Sequence, residues 1–159
     1  RRRRCGRRPG GPAARRPLPV TIMLMMVLAA LLQAALPPKT ILIKTIDKGV
    51  ETMVDEPRQV TVRSADELAT LWRVHAPDRV KPTVDFSRDM IVGVFLGSRP
   101  TAGYDVQIVS AREEQAALVV RYRTTAPGRG TLAAQVLTMP YHLAVVPRYA
   151  GAVKFEKAN

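Results

Sequence analysis

Beyond residue 36, a nucleophile and its base would have to come from Ser64, Ser87, Ser98 or Ser110 with His75 or His142. A serine hydroxyl attacks only when a base within hydrogen-bond reach takes its proton. No G-x-S-x-G elbow surrounds any of the four, and Ser64 already has a duty as a helix cap. Metal chemistry has as little to work with. His75 and His142 stand 67 positions apart and the lone cysteine, Cys5, lies near the start, whereas zinc ligands usually come in closely spaced pairs. Among the acids, Asp66 and Glu67 suit a helix start, Glu113 and Glu114 sit in a polar connector, and Asp85 and Asp89 flank a segment without a phosphate cradle. Neither G-x-x-x-x-G-K-[ST] nor G-x-G-x-x-G occurs. These residues predict no catalytic group, no metal and no cofactor.

Charge points elsewhere. The eight arginines of residues 1–36, with no acid among them, supply eight of the net +12 and leave +4 for the rest. Residues 1–17 are too rich in Arg, Pro and Gly to pack a core and are expected to be disordered. Leu18–Leu36, LPVTIMLMMVLAALLQAAL, carries no charge over 19 residues. Arginines ahead of such a run stay on the cytoplasmic side of a membrane. Two readings stay open for 18–36: an uncleaved transmembrane anchor, which needs about 20 residues, or a signal peptide with Gln33-Ala34-Ala35 as its small-residue exit. Either one exports residues 37–159. Cys5 precedes the run, so lipid attachment at an exit cysteine is not supported. Arg121 and Arg123 share a strand with Tyr122 but not a face, which breaks the interleaving that stacks bases beside phosphates; no nucleic acid is expected.

The elements that position these residues are mostly strands. After Pro37-Pro38, Thr40–Asp47 is rich in β-branched residues and Arg58–Arg63 alternates polar and apolar. Ser64-Ala65-Asp66-Glu67 is a capping box, and Leu68, Leu71, Trp72 and His75 form one stripe of a helix that Pro77 stops; Trp72 is expected in the core. The unbroken apolar run Asp89–Gly97 predicts a central strand covered on both faces. Tyr104, Val106 and Ile108 face Leu118, Val120 and Tyr122 in an antiparallel hairpin over the connector Ala111–Ala116. The stretch 131–147 is interrupted at Pro140, which lacks a ladder donor, and Gly151–Lys157 closes with Val153 and Phe155 inward. The order β-β-α-β-β-β-β-β predicts an α+β fold, a mainly antiparallel sheet with one amphipathic helix, preceded by the N-terminal hydrophobic helix.

Between two strands lies RPTAGY. Pro100 fixes one backbone angle and Gly103 permits a positive one, so the loop turns tightly and delivers Tyr104. DFSRDMIVGVFLGSRPTAGYDVQIVSA, APGRGTLAAQVLTMPYHLAVVPR and VKFEK, with SADELATLWRVHAPDR, resemble the C-terminal domain of the PrcB-like family, named for a subunit of a surface protease complex. The resemblance covers residues 58–157, with 37–57 as linker and first strand, and P-T-x-G-Y and Q-x-L-T-x-P-Y-H carry it. It implies an exported, non-enzymatic accessory domain, here tethered through 18–36, that binds a protein partner and stabilises a protease or its precursor. The chain departs from the namesake in lacking a cysteine after its apolar segment. A looser likeness relates RPTAGY to the N-P-T-T-G-[YF] loop of chagasin-type cysteine-protease inhibitors, which makes inhibition the alternative. Both place the same loop against a protease, with Arg99, Pro100, Thr101, Gly103 and Tyr104 as contacts, joined by Pro140, Tyr141 and His142 where MPYH lies at the same sheet end.

Overall fold

The structure is a computed structural model that describes residues 39–114 and 116–158. Its strands are β1 (Lys39–Ile41), β2 (Lys44–Gly49), β3 (Arg58–Val62), β4 (Asp89–Phe95), β5 (Asp105–Glu114), β6 (Ala117–Thr125), β7 (Tyr141–Pro147) and β8 (Ala152–Lys157), with helix α1 (Ala65–His75) between β3 and β4. They form two four-stranded sheets, β1-β5-β6-β8 and β2-β7-β4-β3. All pairings are antiparallel except β6 with β8.

The α+β expectation of one sheet and one helix is therefore corrected: the described residues form a mostly-β fold of two sheets with one short helix among them. The reason lies in β4. Alternate residues of a strand share a face, and Met90, Val92 and Val94 pack with β5, β6 and β7 residues, including Val106, Ile108, Leu118 and Val120, while Ile91 and Phe95 pack with α1. One helix can cover only one face of such a strand; the second sheet covers the other. The expected hydrophobic helix 18–36 lies outside the described residues, and no helix among those described is long and apolar enough to cross a membrane.

Helix α1 follows its sequence signals. Ser64 Oγ accepts the Glu67 N–H at 3.2 Å, and Glu67 Oε2 accepts the Arg63 N–H at 2.6 Å, one residue before the amide that a capping box normally takes. The buried stripe is Leu68, Leu71, Trp72 and His75. Eleven residues make a marginal helix in water, so this stripe holds it, each large apolar side chain contributing about 1.5–3 kcal/mol on burial. Trp72 Nε1 donates to the Arg79 carbonyl at 2.8 Å, which answers its one polar atom.

Three strand expectations need correction. Thr40–Asp47 is not one strand: the chain leaves one sheet after Ile41 and enters the other at Lys44. The connector Ala111–Ala116 is mostly ladder, because β5 runs to Glu114 and β6 starts at Ala117. Residues 131–137 form no strand, and pairing after Pro140 begins at Tyr141. Beyond the end of β4, Gly97 has φ +72°, and a Cβ there would stand 2.6 Å from the Asp55 carbonyl oxygen and 2.7 Å from the Pro57 nitrogen. Backbone cannot give way as a side-chain tip can. Gly97→Ala is expected to lower stability by about 2–4 kcal/mol, read as a lower urea midpoint with an unchanged m-value.

Candidate functional site

Tyr141 and His142 open β7, and neighbouring side chains of a strand enter different layers. Both are only 2 % exposed. On the helix side, the Tyr141 hydroxyl donates to Asp47 Oδ1 and accepts from Arg79 Nη2, each at 3.0 Å. Asp47 Oδ2 takes the His75 Nε2–H at 2.9 Å and pairs with Arg79 at 3.0 Å. With the ring proton on Nε2, His75 Nδ1 accepts from Thr52 Oγ1 at 2.7 Å.

A carboxylate, an imidazole and a hydroxyl in line have the order of a relay that activates a nucleophile. Their surroundings give them a different job. Thr52 is buried, its oxygen accepts the Val54 N–H at 3.2 Å, and the Met53 N–H is held by the His75 carbonyl at 3.2 Å. Those two amides are thus unavailable to stabilise an oxyanion. The network instead joins β2, the segment after it, the end of α1 and β7. Burial alone would raise the Asp47 pKa, but hydrogen bonds from His75 and Tyr141 and the charge of Arg79 outweigh it and hold the carboxyl below its ordinary value. Burial lowers the His75 pKa, helped by Arg79 and Arg58, against the opposing pull of Asp47.

The partners arrive through a bulge. Thr45 and Asp47 would share a face in a regular strand, yet the register shifts between them, so Thr45 lies opposite Ala144 and Asp47 opposite Leu143. Asp47 joins the helix-side network and Thr45 turns toward the other sheet. There His142 Nδ1 accepts the Ile108 N–H at 2.7 Å and its Nε2–H donates to Thr45 Oγ1 at 2.8 Å. A second bulge, between Ile108 and Ser110, marks where the Ile108 amide departs from regular pairing. Burial, with the charge of Lys48, lowers the His142 pKa against Asp105, so the ring is a neutral tie between sheets.

The exposed candidates lie on a braced pair of loops. Arg99 and Thr138 exchange both backbone hydrogen bonds, at 2.7 and 2.9 Å. Thr138 Oγ1 donates to the Thr101 carbonyl at 3.0 Å, Ala102 N–H to the Ala134 carbonyl at 2.9 Å, and Leu96 N–H to the Pro140 carbonyl at 2.9 Å. Pro100 and Gly103 are exposed at the tip and Thr101 and Tyr104 are half-buried. Gly103 has the positive φ its turn needs, +93°. The fold thus joins RPTAGY to the segment before MPYH and turns Tyr141 and His142 inward. Beside these loops, Val50, Met53 and Leu137, 41, 69 and 63 % exposed, border with Met139 a hollow of about 300 Å³.

Residues 90–147, from β4 through β7, match the family described as PrcB C-terminal. This segment is a PrcB-like C-terminal domain. No curated protein and no solved structure matches the chain. The PrcB-like segment contains both braced loops and is narrower than the expected 58–157; Asp47, Thr52, His75 and Arg79 precede it. Sequence reasoning missed Asp47, Thr52 and Arg79, and also Met53 and Leu137. A signal existed only for Met53, an apolar residue in a stretch otherwise marked as linker; Leu137 was hidden inside a stretch that reads as strand.

Two measurements test the buried ties of the PrcB-like domain and its flanking elements. Tyr141→Phe should cost about 1–2 kcal/mol by leaving Asp47 and Arg79 one partner short, seen as a lower urea midpoint. His75 and His142 have folded pKa values below the ordinary 6.5, so they are neutral in both states above that pH, and below it the unfolded chain takes up protons that the folded one refuses. Stability should fall from pH 7 to pH 5. In His142→Asn, where Oδ1 can still accept the Ile108 N–H, that fall should be smaller; a urea midpoint that is flat or rises toward pH 5 in the parent chain excludes neutral buried rings.

Proposed function

We propose that this protein is a non-enzymatic accessory module that binds an exported protease or its precursor and stabilises it, held at the membrane through residues 18–36 with its β-domain outside the cytoplasm. The family of the matched segment supports the coarse part, an accessory domain of a protease complex with a protein partner. The observation that carries the reading is the apolar rim of Val50, Met53 and Leu137 beside loops that five hydrogen bonds lock together. Exposed apolar side chains gathered around a hollow mark docking surfaces, and a braced loop loses little freedom on binding. Arg99, Pro100, Thr101 and Gly103 form the neighbouring rim, while Pro140, Tyr141 and His142 act by holding the loops in place.

The full chain, tagged at its C-terminus and captured from its own host's envelope fraction, should enrich one exported protease or protease precursor. Met53→Glu with Leu137→Glu should cut that enrichment at least about tenfold with an unchanged thermal midpoint. Capture of no protease, or the same capture by the double variant, rejects the proposal. Cysteine-protease turnover should be unaffected by micromolar protein; a dose-dependent loss would move the reading to inhibition.

A further inference from the structure

Beside the Arg99 loop the two sheets part around a cleft of about 610 Å³, lined by the start of β3 and the end of β4 on one side and by Tyr104, Tyr122, Thr124 and Lys157 on the other. Ligand pockets span roughly 300–1,000 Å³. Its lining holds three cations, Arg58, Arg99 and Lys157, and no carboxylate. Lys48, Arg79 and Arg121 each pair with an acid; among the described residues Arg58, Arg99 and Lys157 form no such pair.

Aromatic rings take the place of acids. The Arg58 guanidinium lies 5.4 Å from the Phe95 ring centre and that of Arg99 5.8 Å from Tyr104. A ring beneath a guanidinium fixes its direction and leaves its charge available. Arg99 Nη2 donates to the Leu96 carbonyl at 2.9 Å, which fixes one edge of the guanidinium while the group lines the cleft. Tyr122 accepts from Gln59 Nε2 at 3.3 Å, so its own hydroxyl proton remains to be donated.

We propose that this cleft binds an acidic, extended segment of a protein partner, with carboxylates against Arg58, Arg99 and Lys157 and an apolar side chain against Val94 and Leu96. Guanidinium forks match carboxylates in two-bond geometry. A peptide fits better than a nucleic acid because Phe95 and Tyr104 lie beneath guanidinium groups, so only Tyr122 among the lining rings is uncovered, too few for stacking successive bases. In addition, β3 is an edge strand, whose free ladder groups can pair an extended chain. The inference rests on the protein-binding reading above and supplies the chemistry of the segment recognised.

The test titrates the full chain, by fluorescence anisotropy, with a fluorescein-labelled peptide of alternating glutamate and valine. The glutamine–valine counterpart and a thymidine oligonucleotide of equal length serve as comparisons. The glutamate peptide should bind saturably, and about tenfold more tightly than the glutamine one. Lys157→Gln and Arg58→Gln, at exposed positions, should each weaken it about tenfold without moving the thermal midpoint. A variant with Arg1, Arg2, Arg3 and Arg4 changed to glutamine should bind like the parent, which separates the cleft from the basic leader. Equal binding of both peptides, a loss confined to the leader variant, or tighter binding of the oligonucleotide overturns the proposal. If the cleft fails while Met53 and Leu137 still govern protease capture, the protein-binding reading survives without it.

Discussion

Because β4 and β7 are covered on both faces, the polar groups carried inward beside them have to be answered from within the fold, where an unpaired donor or charge would be costly. Tyr141 and His142 meet this demand on opposite sides of one strand. On the helix side the answer is a carboxylate with an arginine and an imidazole; on the sheet side it is one backbone amide and one hydroxyl. Each answer depends on a bulge, one between Thr45 and Asp47 and the other between Ile108 and Ser110. Ladder irregularities here are the means by which groups of fixed reach meet buried partners.

The same constraint sorts the polar residues by use. Asp47, His75, Thr52 and Tyr141 are fully engaged with one another, and any chemistry their order suggests competes with the bonds that hold β2, α1 and β7 together. What the domain offers outward is different in kind: apolar side chains around the hollow at Leu137 and ring-backed cations in the cleft at Arg99. The accessory role that the PrcB C-terminal family suggests is in keeping with the proposal that these outward groups bind a protein.

Legibility in the sequence followed the range of the interaction. Local signals were read correctly: the Ser64 cap, the Leu68–Leu71–Trp72–His75 stripe, the β5–β6 hairpin and the double coverage of β4. Alternation reports that a face is buried, but not what buries it, so it does not separate two packed sheets from one sheet with a helix. Asp47 was hidden because a single inserted residue decides its face. The split of residues 40–47 between sheets carries no proline or glycine to announce it. Leu132, Val136 and Leu137 read as strand because they are apolar; Pro140 and the bonds to residues 99–102 keep that stretch a loop. The cleft joins positions 58, 99, 104, 122 and 157, too far apart in the chain for spacing to link them.

Segment 96–104 shows how one short stretch serves both surfaces. Its backbone groups at Leu96, Arg99, Thr101 and Ala102 are bonded to residues 134–140, which contribute Leu137 and Met139 to the hollow. Its side chains Arg99 and Tyr104 line the cleft. Backbone and side chains of the same residues thus face different surfaces, the Arg99 guanidinium being aimed by the Tyr104 ring and the Leu96 carbonyl within its own segment. Arg99 thus braces the Leu137 loop through its amide and carbonyl and lines the cleft through its side chain.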